Sequence, residues 1–241
     1  MKNFMYRLLI VFGMIFVYPS FAQTLSEKIT KAEKIYVAPI QFYKYYAIKV
    51  GPNLWTKPYS FNGEFAPGDI VSVTDPNISW EIVGEVPSQL LDDVYANFLK
   101  QLQDKWGADK VEAWPEDLMN KMGAFNEKDI DCSFYVMMER VAWQEPLRLT
   151  KLSSANPDVP SVIKGGTENI TITIFEKVKA GKKGKKAVKV MKNPFYDLAV
   201  EFAETKDNSA AGAAFCQKAN DQLQSVIDEM LVEFFTEIDN N

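Results

Sequence analysis

Apolar residues recur at helical spacing in two long stretches of this chain. The first stretch begins after Pro87-Ser88 and stops at Gly107. The second, residues 210–238, follows Asn208-Ser209, a pair suited to capping a helix. Intervals of three and four residues predict an amphipathic helix in each place. A third, shorter helix is predicted to begin at Pro115 and to end at Gly123.

Segments with the pattern of β-strands precede and follow these helices along the chain. Residues 34–40 (KIYVAPI) and 111–114 predict short strands, and residues 131–143 (DCSFYVMMERVAW) carry apolar residues on both faces, as a covered central strand does. Residues 170–178 alternate, and their isoleucines mark the face expected to be buried. A GKKG turn at 181–184 and a return strand at 187–191 complete a predicted hairpin.

Three further segments have weaker patterns. Residues 144–167 are rich in Pro, Ser, Asn and Gly and predict a long loop that is mobile or binds a partner. Residues 195–203 fit a helix and a strand equally well. Residues 41–86 hold many aromatics between prolines and predict a β-rich insertion, with short strands at 47–50, 69–74 and 79–83. These aromatics form either the core of a small sheet or an exposed surface for a sugar or peptide.

The order of these elements predicts an α+β fold. Amphipathic helices are expected to pack on a mixed β-sheet of about four to six strands, with the aromatic insertion added to it. The connection from the strand at 34–40 through the helix after Pro87 predicts a right-handed parallel crossover. The chain length predicts a single domain, residues 23–241.

Residues 1–22 have the pattern of a cleaved secretory signal. Lys2 and Arg7 precede an apolar run at 8–17, and Pro19 and Ser-Phe-Ala follow it. An uncleaved N-terminal anchor is the alternative. No later run is long enough to span a membrane, so the sequence predicts a periplasmic or secreted protein.

The amino-acid composition excludes several classes of function. The chain has 27 Lys plus Arg against 32 Asp plus Glu, and removal of residues 1–22 makes it more acidic still, which argues against a nucleic-acid binder. The chain contains no histidine, which excludes Ser-His-Asp and Cys-His sites and histidine-ligated zinc. Glycine motifs for nucleotides and calcium loops are absent too. We therefore assign no catalytic residue, metal or cofactor.

Pairs of carboxylates leave an enzymatic alternative open. Asp92 with Asp93, Glu116 with Asp117, and Asp129 with Asp131 could supply the acid and base of a glycan hydrolase. The alternative is structural, because acidic residues at helix starts complement the backbone dipole.

The two cysteines, Cys132 and Cys216, also have two interpretations. Export to an oxidising compartment permits a disulfide between them. The apolar residues around both also suit free thiols in a core.

The predicted hairpin concentrates seven lysines between residues 179 and 192. Lysines on an edge strand prevent its pairing with another chain. The same charge suits an anionic lipid surface or an acidic wall polymer, whereas export and net charge disfavour nucleic acid. The candidate binding residues are Lys179, Lys182, Lys183, Lys185, Lys186 and Lys189.

The order of segments at 34–40 and 87–238 resembles that of two groups of bacterial periplasmic domains. These belong to the curli-secretion channel lipoproteins and to the outer-membrane lipoprotein activators of peptidoglycan synthases. The segments that carry the resemblance are KIYVAPI, DCSFYVMMERVAW and ITITIFEKVKAGKKGKKAVKV. The lipobox cysteine and the Asp-x-x-Thr-Gly turn of those families are absent, and residues 41–86 have no counterpart. The resemblance implies a binding or assembly module without catalysis.

The sequence thus predicts an exported, non-catalytic binding or assembly module of the bacterial cell envelope. Its partner would be an envelope protein or an anionic envelope surface, contacted through the lysine hairpin and residues 144–167. One alternative is a carboxylate-dependent glycan hydrolase with the aromatic insertion as substrate platform. Another is a small-molecule carrier, which needs an enclosed apolar pocket.

Overall fold

Helix α1 (Leu25–Thr30), helix α2 (Ser88–Trp106) and helix α3 (Ser209–Asp239) are the α-helices of the described residues. The computed structural model describes residues 23–40, 42, 44–50, 57–58, 64–72, 78–118, 131–140, 146–166, 168–177, 184–202 and 209–241. The predicted signal at 1–22 lies outside them.

The two long helices match their predicted boundaries. Pro87 is the N-cap of α2, and Gly107 ends that helix with a φ of 109°, a backbone conformation that glycine adopts without strain. Helix α3 begins at Ser209 and buries a stripe that includes Phe215, Ile227 and Phe234. At the third predicted helix, a single 3₁₀ turn spans Glu116–Leu118, and residues 119–123 lie outside the described part.

The first sheet is mixed. Its strands are β1 (Ile35–Val37), β6 (Val111–Ala113), β7 (Phe134–Arg140), β10 (Ile170–Glu176) and β11 (Lys185–Lys192), in the order β11-β10-β7-β1-β6. Strand β1 is parallel to both β6 and β7, so the predicted parallel connection through α2 is present. Strand β10 is antiparallel to β7 and to β11, which gives the predicted hairpin.

A second mixed sheet holds the segments whose patterns were weak. Its strands are β2 (Tyr45–Val50), β3 (Lys57–Pro58), β4 (Ile70–Ser72), β5 (Ser79–Glu85), β8 (Leu147–Leu152), β9 (Ser161–Gly165) and β12 (Ala199–Phe202), in the order β12-β9-β8-β2-β5-β4-β3. The predicted strands of the aromatic insertion are therefore present, and they pair with strands from the second half of the chain. Within residues 195–203, which fitted a helix and a strand equally well, residues 199–202 form the strand β12.

The prediction of one long loop at 144–167 was wrong. Residues 147–152 and 161–165 form the antiparallel strands β8 and β9, and only the segment between them turns. Leu147 and Leu149 are buried, and Arg148 and Thr150, which alternate with them, face away from the core. Most of the Pro, Ser and Asn residues that suggested a loop lie in the connecting segment, residues 153–160.

One continuous hydrophobic core joins both sheets to the helices. Helix α3 contacts β11 and β10 of the first sheet and β5, β12, β9 and β2 of the second. Ile170, Ile172 and Ile174 are fully buried in this core, as their alternation predicted. The other face of the first sheet buries a smaller cluster in which the rings of Tyr135 and Phe175 stack 4.8 Å apart. Strand β7 is thus covered on both faces, which confirms the predicted central strand over residues 134–140; residues 141–143 lie outside the described part.

The fold class is α+β, as predicted. The described strands form two mixed sheets, however, where the sequence predicted one sheet of about four to six strands with an insertion, because β8, β9 and β12 pair with the strands of the insertion.

Candidate functional site

The lysine hairpin, residues 170–192, ends in a strand at the margin of the first sheet. Strand β11 is the outermost strand in the described order, and Lys185, Lys186 and Lys189 are exposed on it. Lys179, Lys182 and Lys183 lie outside the described residues. Lys192, at the end of β11, forms an ion pair with Glu229 of α3 at 3.2 Å. This edge position suits lysines that prevent the strand from pairing with another chain.

The predicted carboxylate pairs are exposed wherever the structure describes them. Asp92 and Asp93 lie on the solvent side of α2, where Asp93 accepts a hydrogen bond from the Gln89 side chain at 2.9 Å. Glu116 and Asp117 open the 3₁₀ turn, and Asp131 precedes β7. Asp129 lies outside the described residues. Within the described residues, no group of three or more acidic or cysteine side chains is placed to hold a metal ion.

Both cysteines are free thiols in the structure. Cys132 is half-buried against the small cluster around Tyr36, and burial raises the pKa of its thiol to about 11. Cys216 lies on α3 in the main core, and burial raises the pKa of its thiol to about 12. A Cβ added to Gly84 of β5 would lie 2.5 Å from the Cys216 sulfur, so glycine permits this close contact between helix and sheet.

A groove of about 750 Å³ lies on the face of the second sheet that points away from α3, and we call it the outer-face groove. Its position follows from strand alternation, because successive side chains point to opposite faces. Tyr46, Ile48, Leu147 and Leu149 point into the core. Lys49 of β2, Arg148 and Thr150 of β8, and Lys164 of β9 alternate with them and line the groove.

Cross-strand pairing brings these outward side chains together. Lys49 lies opposite Trp80 of β5, and Thr150 lies opposite Lys164. The guanidinium of Arg148 lies 5.4 Å from the centre of the Trp80 ring, within the range of a cation–π contact. Tyr196, in the turn before β12, adds a second aromatic side chain and is 58% exposed.

The groove is positively charged although the chain is acidic. Lys49, Arg148 and Lys164 supply three cations to it, against the two carboxylates of Glu168 and Asp197. Pockets of this volume are of the size that binds small molecules and short polymer segments. Cations beside exposed aromatic rings suit a ligand that combines negative charge with flat or apolar surface.

Close backbone packing shapes one end of the groove. A Cβ on Gly165 would lie 2.0 Å from the carbonyl oxygen of Phe195, so only glycine lets β9 pass this close to the turn that carries Tyr196. Gly165 thereby brings Tyr196 and Asp197 to the wall of the groove.

Sequence reasoning did not find the outer-face groove. Its residues come from segments that are distant in the chain, and none forms a motif. The available signal was the alternation of LRLTKL at 147–152, which the proline- and serine-rich turn after it obscured. The predicted contact region at 144–167 nevertheless supplies Arg148, Thr150 and Lys164, and the aromatic insertion supplies Trp80.

Comparisons with known proteins identify no family. No family model matches the chain, and no curated protein matches it. Among solved structures, the chain is similar to the crystal structure of protein XCC0632 from Xanthomonas campestris, a DUF330 protein. The identity is 10%, the alignment covers 89% of each chain, and the TM-score is 0.31, so this similarity supports no conclusion about function. In the described part of the chain, no helix is long and apolar enough to cross a membrane.

Proposed function

We propose that the protein is an exported, non-catalytic binding or assembly module of the bacterial cell envelope. It contacts an envelope protein or an anionic envelope surface through positively charged regions of its own surface. The observation that carries this proposal is the outer-face groove, where Lys49, Arg148 and Lys164 lie beside the half-buried ring of Trp80 and the exposed ring of Tyr196 on a chain of net charge −5. Such a local reversal of charge attracts acidic partners and orients their approach.

Two other features support the proposal. The N-terminal segment has the pattern of a secretory signal, which directs the chain to the envelope or beyond it. The segment order resembles that of periplasmic assembly domains of the curli-secretion channel lipoproteins and the peptidoglycan-synthase activators. The exposed lysines of β11 offer a second positive surface for the same kind of partner.

Crosslinking in intact cells, followed by mass spectrometry of the tagged protein, tests the proposal. We expect a reproducible envelope partner at low ionic strength. Charge reversal in the groove, Lys49→Glu with Lys164→Glu, should reduce its recovery about tenfold, because the new carboxylates repel an acidic partner. Reversal on the hairpin, Lys185→Glu with Lys186→Glu, tests the second surface separately. Lys218→Glu, exposed on α3 at the opposite side of the second sheet, is the matched control.

The proposal is wrong if the protein is recovered alone, or if the groove variant keeps its partner at low salt while remaining folded. Circular dichroism and thermal melting of each variant establish that the variants are folded.

A carboxylate-dependent glycan hydrolase is the second candidate, and one observation favours it. Glu168 and Asp197 line the same groove as Trp80 and Tyr196, so two carboxylates face an aromatic-lined cleft. Glycosidases use such a pair as acid and base or nucleophile. Release of reducing ends from envelope polysaccharide, abolished by both Glu168→Gln and Asp197→Asn, would support hydrolysis. Binding of the polysaccharide without its hydrolysis would support the non-catalytic binding module instead.

A further inference from the structure

We propose that the outer-face groove binds an acidic oligosaccharide, a short chain of sugars that carry carboxylate or phosphate groups. This inference rests on the proposed function as a binding module and names the ligand of its groove. Lys49, Arg148 and Lys164 would contact the acidic groups, and Trp80 and Tyr196 the sugar rings. None of the comparisons with known proteins assigns a ligand to this groove.

The sheet architecture argues for a ligand held by side chains. Peptides bind sheets chiefly by adding a strand to an exposed edge, where backbone groups are unpaired. The groove instead lies on the face of the sheet, over β8, which pairs with β2 on one side and with β9 on the other. Backbone groups of β8 are therefore engaged with β2 as far as Leu149 and with β9 at residues 149–152, which leaves few of them for an extended peptide.

The aromatic side chains supply surfaces that match sugar rings. Tyr196 is 58% exposed, so its ring is accessible to a ligand in the groove. Trp80 is half-buried, and Arg148 over its ring forms a planar cationic surface at the groove wall. A sugar presents an apolar face to such rings and hydroxyl groups at its rim, so one ligand uses both parts of the lining.

The two carboxylates distinguish a saccharide from a uniformly acidic polymer. Glu168 and Asp197 would repel a chain that is negative at every unit. They accept hydrogen bonds from sugar hydroxyls, however, because an ionised carboxylate is an acceptor only. Thr150 adds a hydroxyl that can donate or accept. Cations at some positions and acceptors at others therefore fit a ligand in which acidic groups alternate with hydroxyls.

Titration of the protein, purified after export, against defined oligomers tests this inference. The acidic probes are galactose oligomers in which every second unit is galacturonate, for carboxylate, and mannose oligomers phosphorylated at every second unit, for phosphate. The comparison probes are uncharged galactose oligomers and glutamate oligomers of the same length. Isothermal calorimetry should show binding of at least one acidic saccharide about tenfold or more tighter than either comparison probe. The acidic probe that binds identifies the source of the charge.

Single variants then locate the site. Lys164→Gln and Tyr196→Ala should each weaken binding of the acidic saccharide about tenfold, since one removes a charged contact and the other a ring contact. Lys218→Gln on α3 should leave the affinity unchanged.

Three outcomes would overturn the inference: no saccharide binds, glutamate oligomers bind as tightly as the acidic saccharides, or saccharide binding survives both groove variants. The proposed function is judged by crosslinking in cells and can survive any of these. If crosslinking shows a partner that the groove charge reversal removes while no saccharide binds, the ligand class is wrong and the binding module stands.

Discussion

At the scale of single residues, burial decides what the two cysteines do. Both have pKa values raised by the loss of solvent around the thiol, Cys132 to about 11 and Cys216 to about 12. A raised pKa keeps the thiol neutral at physiological pH, and the thiolate is the reactive form. The structure has them in separate hydrophobic clusters, on the coil before β7 and on α3.

We expect slow reaction of both thiols with Ellman's reagent in the native protein at neutral pH. The rate should rise as pH increases towards 11, with Cys132 reacting before Cys216, because its pKa is lower and it is less buried. In denaturant without reductant, both thiols of the chain should react immediately with the reagent. The Cys132→Ser variant should show one reactive thiol per chain under the same conditions. A denatured protein whose thiols titrate only after reduction would instead contain the disulfide that the sequence allowed.

At the scale of elements, a polar network fixes α2 against α3. Oδ1 of Asp228 accepts hydrogen bonds from the side-chain amides of Asn97 at 3.1 Å, Gln101 at 2.7 Å and Gln224 at 2.8 Å. Asn97 and Gln101 are one turn apart on α2, and Gln224 lies one turn before Asp228 on α3. Hydrogen bonds to a charged acceptor are stronger than neutral ones, so this half-buried carboxylate specifies how the two helices meet.

Asp228→Asn should lower the free energy of unfolding by roughly 1–3 kcal/mol, because a neutral amide oxygen accepts the three hydrogen bonds more weakly than a carboxylate. Urea unfolding measures the change. Asp221→Asn is the matched control, since Asp221 is exposed on the same helix and accepts a hydrogen bond from Gln217 at 2.7 Å. It should change stability by no more than about 0.5 kcal/mol. Equal effects of the two substitutions would show that the network contributes nothing specific.

At the scale of the whole molecule, the position of β11 gives its lysines a role in solubility. Strand β11 is eight residues long and outermost in its sheet, so an apolar version would offer a template for another chain. Lys186 lies opposite Phe175 and Lys189 opposite Thr173, on the neighbouring β10. This protective role is compatible with docking to an acidic partner, because both use the same exposed charge.

Replacement of Lys186 and Lys189 by valine should therefore make the protein self-associate as its concentration rises, with little change in melting temperature. Sedimentation velocity over a range of concentrations measures this association. Lys218→Val on α3 adds an exposed apolar residue away from any strand and should not have the effect. If the two variants sediment alike, edge protection does not explain the lysines.

The amino-acid sequence alone determined the two long helices and the buried face of the hairpin. The boundaries of α2 at Pro87 and Gly107, the start of α3 near Ser209, and the buried isoleucine face of β10 all follow from caps and side-chain periodicity. These signals act over a few residues, so one sequence contains them completely. The fold class followed from the order of the elements.

Only the tertiary structure decided how the strands divide between two sheets and where the outer-face groove lies. Strand β8 pairs with β2 across roughly a hundred residues of chain, and no local pattern encodes such a pairing. The groove needs that pairing, because it brings Arg148 to Trp80 and Lys49, and it needs the close passage of Gly165 past Phe195 to add Tyr196. Each of these side chains is unremarkable in the sequence, and their common surface exists only once the sheet has formed.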